Sequence, residues 1–551
     1  MSASSKKKLR AAQRAEQLTE RQLAEQKEAK NLKILTIVVV AAIVLMVIAA
    51  VGTVINSRFI QPAKLEKEAQ AQRDTVAVTV GEHDVNAVEY NCFYVDAVSN
   101  FYNQVGAYAA MYGPDVTKPL DQQTYDEEEG TTWADFFKTS AENSIKSVYA
   151  IADEAAANGF ELSEDEKTYI KNQMAVMAVN AANYGYPNVD TYLTAMYGLG
   201  ANEETVTAYF ERCYLADAYQ QSVAGDLEYT DADIRAKDSE DPDAYTFFSY
   251  NSYYLSTSKF LQGGTKGEDD TVTYSDEEKA AAVKDAEIAA QVLTAEDITS
   301  VEALDAAIKA LPINAEVENA ASQTYTDSSV DYIASPIQDW VTDAARQNGD
   351  LTYLPSTTTA EDGTETINGY YVVWFVGRNT NEVKLQNVRH ILCAFEGGTT
   401  DSNGNKTYSE TEKAKAKEAA EALLNEWKAG EATEDSFAAL AKDNTDDGNG
   451  SVGGLYENVY PGQMVPTFND WCFDAARVSG DTGIVETSFG YHVMYYVGAA
   501  EQTYRDMMIE NTLVNEDITA WHEALVENVT VEVKNMDNVP TGMVLNSGSA
   551  Y

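Results

Sequence analysis

Hydrophobic and polar positions follow several distinct patterns along this chain. From Ile34 to Ile55 (ILTIVVVAAIVLMVIAAVGTVI) no charged residue occurs. At ~1.5 Å per residue, such a run crosses a hydrocarbon core of about 30 Å as a helix. Residues 57–75 are polar and helix-prone, which suits a spacer. Val76–Val80 alternates as a short strand, and Gly81–Asp84 reads as a turn. From Val88 to about Ala224 apolar residues recur at helical spacing with few prolines, as in Ile145–Ala157 and Glu203–Ala224. Ser163 and Glu166 have the spacing of a capping box. Near the C-terminus, Gln502–Asn528 is again amphipathic, and a strand-like VTVEVK follows it.

Between these regions the chain repeats itself. GGTKGEDDTVTYSDEEKAAAV from Gly263 matches GGTTDSNGNKTYSETEKAKAK from Gly397 at 10 of 21 positions. DWVTDAARQNGD from Asp339 matches DWCFDAARVSGD from Asp470 at 8 of 12, and GYYVVWFVG from Gly369 matches GYHVMYYVG from Gly490. The common order of the three blocks identifies two tandem modules, about 245–380 and 385–499. The second reads as a strand Asn387–Phe395, helices Ser409–Lys428 and Glu434–Lys442, and a loop Asp443–Gly454. A short helix Val465–Ala476 and a strand Tyr491–Val497 complete it, giving an α+β layer with few strands.

Charge changes the picture in two ways. The chain of 551 residues has 88 acidic and 39 basic side chains, a formal charge of −49, which excludes general nucleic-acid binding. Yet residues 1–33 hold nine Lys/Arg against four Asp/Glu. That basic segment places the N-terminus in the cytoplasm and the main body outside. A cleaved signal peptide fits less well, because both the basic region and the apolar run are too long. Four scattered cysteines give no disulfide framework and no metal spacing. Cys393 and Cys472 read as buried free thiols.

The second module resembles the parvulin family of peptidyl-prolyl isomerases. The resemblance rests on Val388-Arg389-His390-Ile391-Leu392, Phe437-Ala438-Ala439-Leu440-Ala441 and Gly453-Gly454-Leu455. It continues in Gly462-Gln463-Met464-Val465-Pro466-Thr467-Phe468 and Thr487-Ser488-Phe489-Gly490-Tyr491-His492-Val493. With the anchor and the helical region, the chain is similar to the PrsA/SurA class of extracytoplasmic foldases. The family's usual Gly-Gly-Asp-Leu-Gly is replaced here by Gly453-Gly454-Leu455-Tyr456-Glu457.

His390 and His492 are two of only four histidines. They fall on the opening and closing strands, where alternation can bring both imidazoles to one side of the sheet. The resemblance implies that they form a hydrogen-bonded floor under the substrate amide. It also implies a proline pocket of Met464 and Phe468, four apart on a short helix, joined by Phe489, Gln463 and Leu455. Asp447 matches a family position that is Cys or Asp, with Asp446 as the alternative register. The first module has Tyr253 and Tyr371 where the histidines stand, with Ile333 and Ile337 for Met464 and Phe468, and reads as degenerate.

The expected architecture is α+β. It comprises a cytoplasmic segment (1–33), a transmembrane helix (34–55), a linker (56–75), and a helical SurA/PrsA-like chaperone domain (76–240). A degenerate parvulin-like module (241–380) and a parvulin module (385–499) follow. A C-terminal helix and tail (500–551) are expected to pack on the chaperone domain. The implied activity is isomerisation of Xaa-Pro bonds in unfolded or newly secreted polypeptides, without a cofactor. The alternative is a non-catalytic chaperone that uses the parvulin fold only to bind clients.

Overall fold

The structure, a computed structural model, describes residues 62–537 and 539, apart from 267–270, 361 and 403. The expected membrane helix, 34–55, and the basic segment before it lie outside the described residues. Among the described residues no helix is long and apolar enough to cross a membrane. The chain folds as two compact units. Of the described residues, the first takes those up to Glu228, with Asp447–Gly454 and those from Val514 onward. The second takes Tyr229–Asp446 and Leu455–Leu513.

The first unit is mainly helical. Its long helices Ala87–Val105, Trp133–Ala157 and Glu203–Asp226 enclose a core that includes Tyr90, Tyr94, Phe137, Ile145, Leu193 and Val206. Capping boxes start three of the helices, Thr132 with Asp135, Ser163 with Glu166 and Asn202 with Thr205, each side chain bonding the other's backbone N–H. A small hairpin, Thr124–Asp126 with Thr131–Thr132, interrupts the helical region. Val76–Val80 pairs on one side with His83–Asn86 and on the other with Val531–Val533. Trp521 and Leu525 pack against a cluster of Ile151, Ala155, Ala216 and Tyr219, and the Trp521 indole donates to Glu154 at 3.3 Å.

The second unit contains two four-stranded antiparallel sheets with the same strand order. One runs Gln323–Ser328, Phe247–Ser256, Glu365–Asn379, Leu351–Thr359. The other runs Leu455–Val459, Lys384–Ala394, Gly490–Thr503, Thr482–Glu486. Two helices cover one face of each sheet: Asp276–Leu293 and Val301–Ala310 in the first, Glu410–Ala429 and Glu434–Asn444 in the second. A short helix covers the other face, Ser335–Thr342 or Pro466–Cys472. The latter is shorter than expected, since Asp474–Arg477 forms a turn instead. The short outer strands, such as Leu455–Val459 and Thr482–Glu486, were absent from the sequence expectation. They are half-buried and offer little alternation to read.

The repeated blocks have a physical basis. Glu412 accepts the N–H of Gly398 (2.8 Å) and of Ser409 (2.7 Å), joining a hairpin to a helix start. Glu278 does the same with Gly264 (2.9 Å) and Ser275 (2.8 Å). Arg477 lies over Trp471 at 4.1 Å and bonds Asp474, while Arg346 lies over Trp340 at 5.0 Å and bonds Asp343. At the buried Arg505 the guanidinium binds Asp238 and the carbonyls of Pro242, Tyr245 and Thr380. It thereby fastens the helix Tyr504–Val526 to the segments that enter and leave the first sheet.

Candidate active site

The site grows from two neighbouring strands, Lys384–Ala394 and Gly490–Thr503. Their register pairs His390 with Met494 and Leu392 with His492. Because alternate residues share a face, both histidines stand on the side of Val388, Met494 and Tyr496. Their Nδ1 atoms are 3.0 Å apart and their rings are inclined by only 26°. Both are buried, His390 at 1% and His492 at 5% exposure. Gly490 makes the closeness possible, since a Cβ there would overlap the carbonyl oxygen of Cys393.

A single N···N hydrogen bond holds one proton, because two N–H groups cannot point at each other. Thr487 bears on where that proton sits. Its hydroxyl oxygen accepts the N–H of Phe489 at 3.1 Å and lies 2.9 Å from His492 Nε2. The other acceptor within reach, the Gly490 carbonyl, is farther at 3.4 Å. With the hydroxyl donating along this shorter contact, His492 carries its proton on Nδ1 and donates it to His390.

Aromatic and apolar side chains wall this floor. Phe468 meets both imidazoles edge-on, at 5.4 Å and 5.3 Å. The Tyr456 ring lies 4.7 Å from His390, inclined by 28°. Met464, Phe468, Tyr456 and Val485 belong to one buried cluster. Gln463 delivers Met464 to it: its amide oxygen accepts the Tyr460 N–H and its own N–H donates to the Tyr460 carbonyl, both at 3.1 Å. Pro466 then starts the helix that carries Phe468, where its missing N–H costs nothing. A polar floor inside an apolar wall suits a neutral, hydrogen-bonding group such as a tertiary amide.

The structure thus brings His390, His492, Met464 and Phe468 together. Phe489 is 59% exposed and stands outside the buried cluster. Leu455 is only partly buried, and its neighbour Tyr456 occupies the wall instead, because Leu455–Val459 alternates faces. Asp447 opens the loop that belongs to the first unit, and its carboxylate accepts the Gly448 N–H at 2.8 Å. Its neighbour Asp446 is bonded to the histidine strand, accepting the Ala394 N–H at 2.8 Å. Sequence reasoning assigned no role to Thr487 or Tyr456, although both lay inside the motifs it used. Cys393 and Cys472 are buried, and loss of solvation pushes their thiols up to about 11 and about 12.

In the first module Tyr371 pairs with Tyr254, and Val373 with Ser252. Aligned on the closing strands, Ser252 therefore holds the place of His390. Tyr253 lies on the opposite face, where its hydroxyl bonds Asn314. The expected Tyr253 correspondence is off by one residue, which in a strand exchanges faces.

Residues 370–498 match the PPIC-type PPIase domain family. The foldase protein PrsA 1 of Listeria innocua is 29% identical over 112 residues, 19% of this chain and 38% of that protein. Its counterpart in Listeria monocytogenes gives the same values. The chain therefore spans less than two fifths of the curated relatives it matches. Among solved structures, PrsA from Bacillus subtilis aligns over 77% of this chain and 98% of its own, with 13% identity and a TM-score of 0.28. PrsA from Bacillus anthracis aligns over 27% and 58%, with 19% identity and a TM-score of 0.17. The paired imidazoles and the apolar wall thus lie within the segment that matches the PPIC-type PPIase domain, the parvulin family of peptidyl-prolyl isomerases.

Proposed function

We propose that the chain is a membrane-anchored extracytoplasmic foldase that isomerises Xaa-Pro bonds and holds unfolded clients. The observation that carries the catalytic half is the buried His390–His492 pair at 3.0 Å beside Met464 and Phe468, inside the matched domain. Rotation about an Xaa-Pro bond crosses roughly 18–20 kcal/mol uncatalysed, and it needs no cofactor or covalent intermediate. The pyrrolidine ring rests against Met464, Phe468 and Tyr456, while the imidazoles face the amide. An apolar cavity weakens amide resonance, because the charge-separated form is the one that water stabilises, and each ~1.4 kcal/mol removed gives about tenfold in rate. Leu455, Gln463 and Phe489 line the approach.

The anchor rests on the uncharged run Ile34–Ile55 behind a basic segment, and this topology puts the modules outside the cell, where newly secreted chains are the clients. A second reading, peptide binding without catalysis, is favoured by one observation: Tyr456 stacks on His390 where the family pattern has a smaller residue. Exchange NMR on a short Xaa-Pro peptide separates the two. The foldase reading expects substoichiometric full-length protein to speed cis–trans exchange; a peptide that binds without faster exchange supports the second. For the anchor, the full chain is expected in the membrane fraction and a chain lacking 1–55 in the soluble one.

A further inference from the structure

The first module carries a different surface at the place of the active site. By strand register, Ser252 stands for His390, Tyr371 for His492, and Tyr325, which pairs with Tyr250 as Tyr456 pairs with Val388, stands for Tyr456. Tyr254 and Tyr371, both half-buried, contact each other at 4.7 Å between ring centroids, and the half-buried Tyr325 stacks on the buried Tyr250 at 4.6 Å with 12° between planes. Beneath them lie Ile333 and Ile337. Tyr332, at the position of Gln463, is 82% exposed. The sheet is also longer here. Pairing beside Tyr371 continues to Glu365 with Thr359, whereas the second module stops at Glu486 with Tyr491.

We propose that this face of the first module is a separate peptide site, one that holds extended proline-containing segments with basic flanks and does not isomerise them. A polyproline II segment has no internal hydrogen bonds, so its carbonyls are free to accept tyrosine hydroxyls, and its rings pack on aromatic faces. Being preorganised, it loses little entropy on docking. Ser252 and a tyrosine lack the paired ring nitrogens of the second module, so a bound prolyl bond is held and not turned. Charge selects the flanks. Residues 241–380 contain 24 acidic and seven basic side chains, with Asp327 two residues from Tyr325 and Asp331 beside Tyr332 in sequence. The extended hairpin lengthens the groove for a chain that continues past the proline. None of this rests on catalysis by the second module.

The test is calorimetric titration of the full chain with a peptide of repeated Lys-Pro-Pro. The expected result is a binding event that Tyr371→Ala with Tyr325→Ala abolishes, and that Met464→Ala with Phe468→Ala leaves in place. Tyr332→Ala, a change at an exposed side chain that leaves the fold intact, is expected to weaken the same event by about fivefold. A matching peptide with alanine for proline is expected not to produce it. If no event responds to the tyrosine variants, or if the alanine peptide binds equally, the proposal is overturned. Retention of the event in a chain that shows no isomerase activity would sink the foldase reading and leave this site standing.

Discussion

Replacing Thr487 by valine tests how the imidazole pair is held. The side chains have nearly the same shape, so the change deletes the hydroxyl that lies 2.9 Å from His492 Nε2 with little change in volume. His492 is buried, and a buried nitrogen that loses its partner costs about 1–3 kcal/mol. If that cost falls on the arrangement that binds the transition state, kcat/KM drops roughly 5- to 150-fold. Nothing then fixes the proton on Nδ1, so the His492 tautomer becomes mixed. Nitrogen-15 shifts of the histidine rings report the tautomer directly, and exchange NMR on an Xaa-Pro peptide reports the rate. Thr487→Ser keeps the hydroxyl and is expected to preserve the wild-type tautomer. A Thr487→Val protein with an unchanged His492 tautomer would refute the reasoning, whatever its rate.

Other predictions follow from groups elsewhere in the chain. Arg505→Ala removes the buried guanidinium from Asp238 and three carbonyls, at a cost of about 3–5 kcal/mol; denaturant unfolding should show it, and a loss below about 1 kcal/mol would argue against the junction. Asp96 accepts the Tyr209 hydroxyl at 2.6 Å, and burial raises its carboxyl to about 6. Since the folded chain binds that proton more tightly than the unfolded one, the associated stability is full below pH ~4 and is lost as pH rises through about 6. Asp96→Asn should therefore raise the melting temperature at pH 8 relative to wild type and not at pH 4; equal shifts at both would contradict the linkage. Cys393 and Cys472, with thiols pushed up to about 11 and about 12, should react with thiol reagents at pH 8 roughly 200-fold and roughly 2,000-fold more slowly than a free cysteine, as followed by mass spectrometry of the folded chain; rates equal to a free cysteine would contradict this.

What the sequence revealed and what it hid have separate physical causes. Helix starts were legible because a serine followed three residues later by glutamate satisfies backbone donors locally, as at Ser163 with Glu166. The tandem repeat was legible because its identities sit on contacts that both modules make, such as Glu278 and Glu412 or Arg346 and Arg477. The two histidines could be placed on one face because strand alternation is a strict period of two. That same period misplaced Tyr253 and favoured Leu455 over Tyr456, since a one-residue error in register moves a side chain to the other face. Outer strands such as Gln323–Ser328 (QTYTDS) were hidden because they are mostly exposed and polar, and are strands only through their neighbours. The role of Thr487 was hidden because it depends on the turn that folds its hydroxyl back on His492, five residues ahead.

The central claim, that His390 and His492 form the working floor of a prolyl site, is tested most directly by the double replacement His390→Ala with His492→Ala in the full chain. The measurement is the cis–trans exchange rate of a short Xaa-Pro peptide, with an amide-proton correlation spectrum to verify that the fold persists. The account predicts a folded protein whose catalysed exchange falls by at least tenfold, the equivalent of about 1.4 kcal/mol of transition-state stabilisation. A folded double variant that exchanges the peptide as fast as wild type would contradict it.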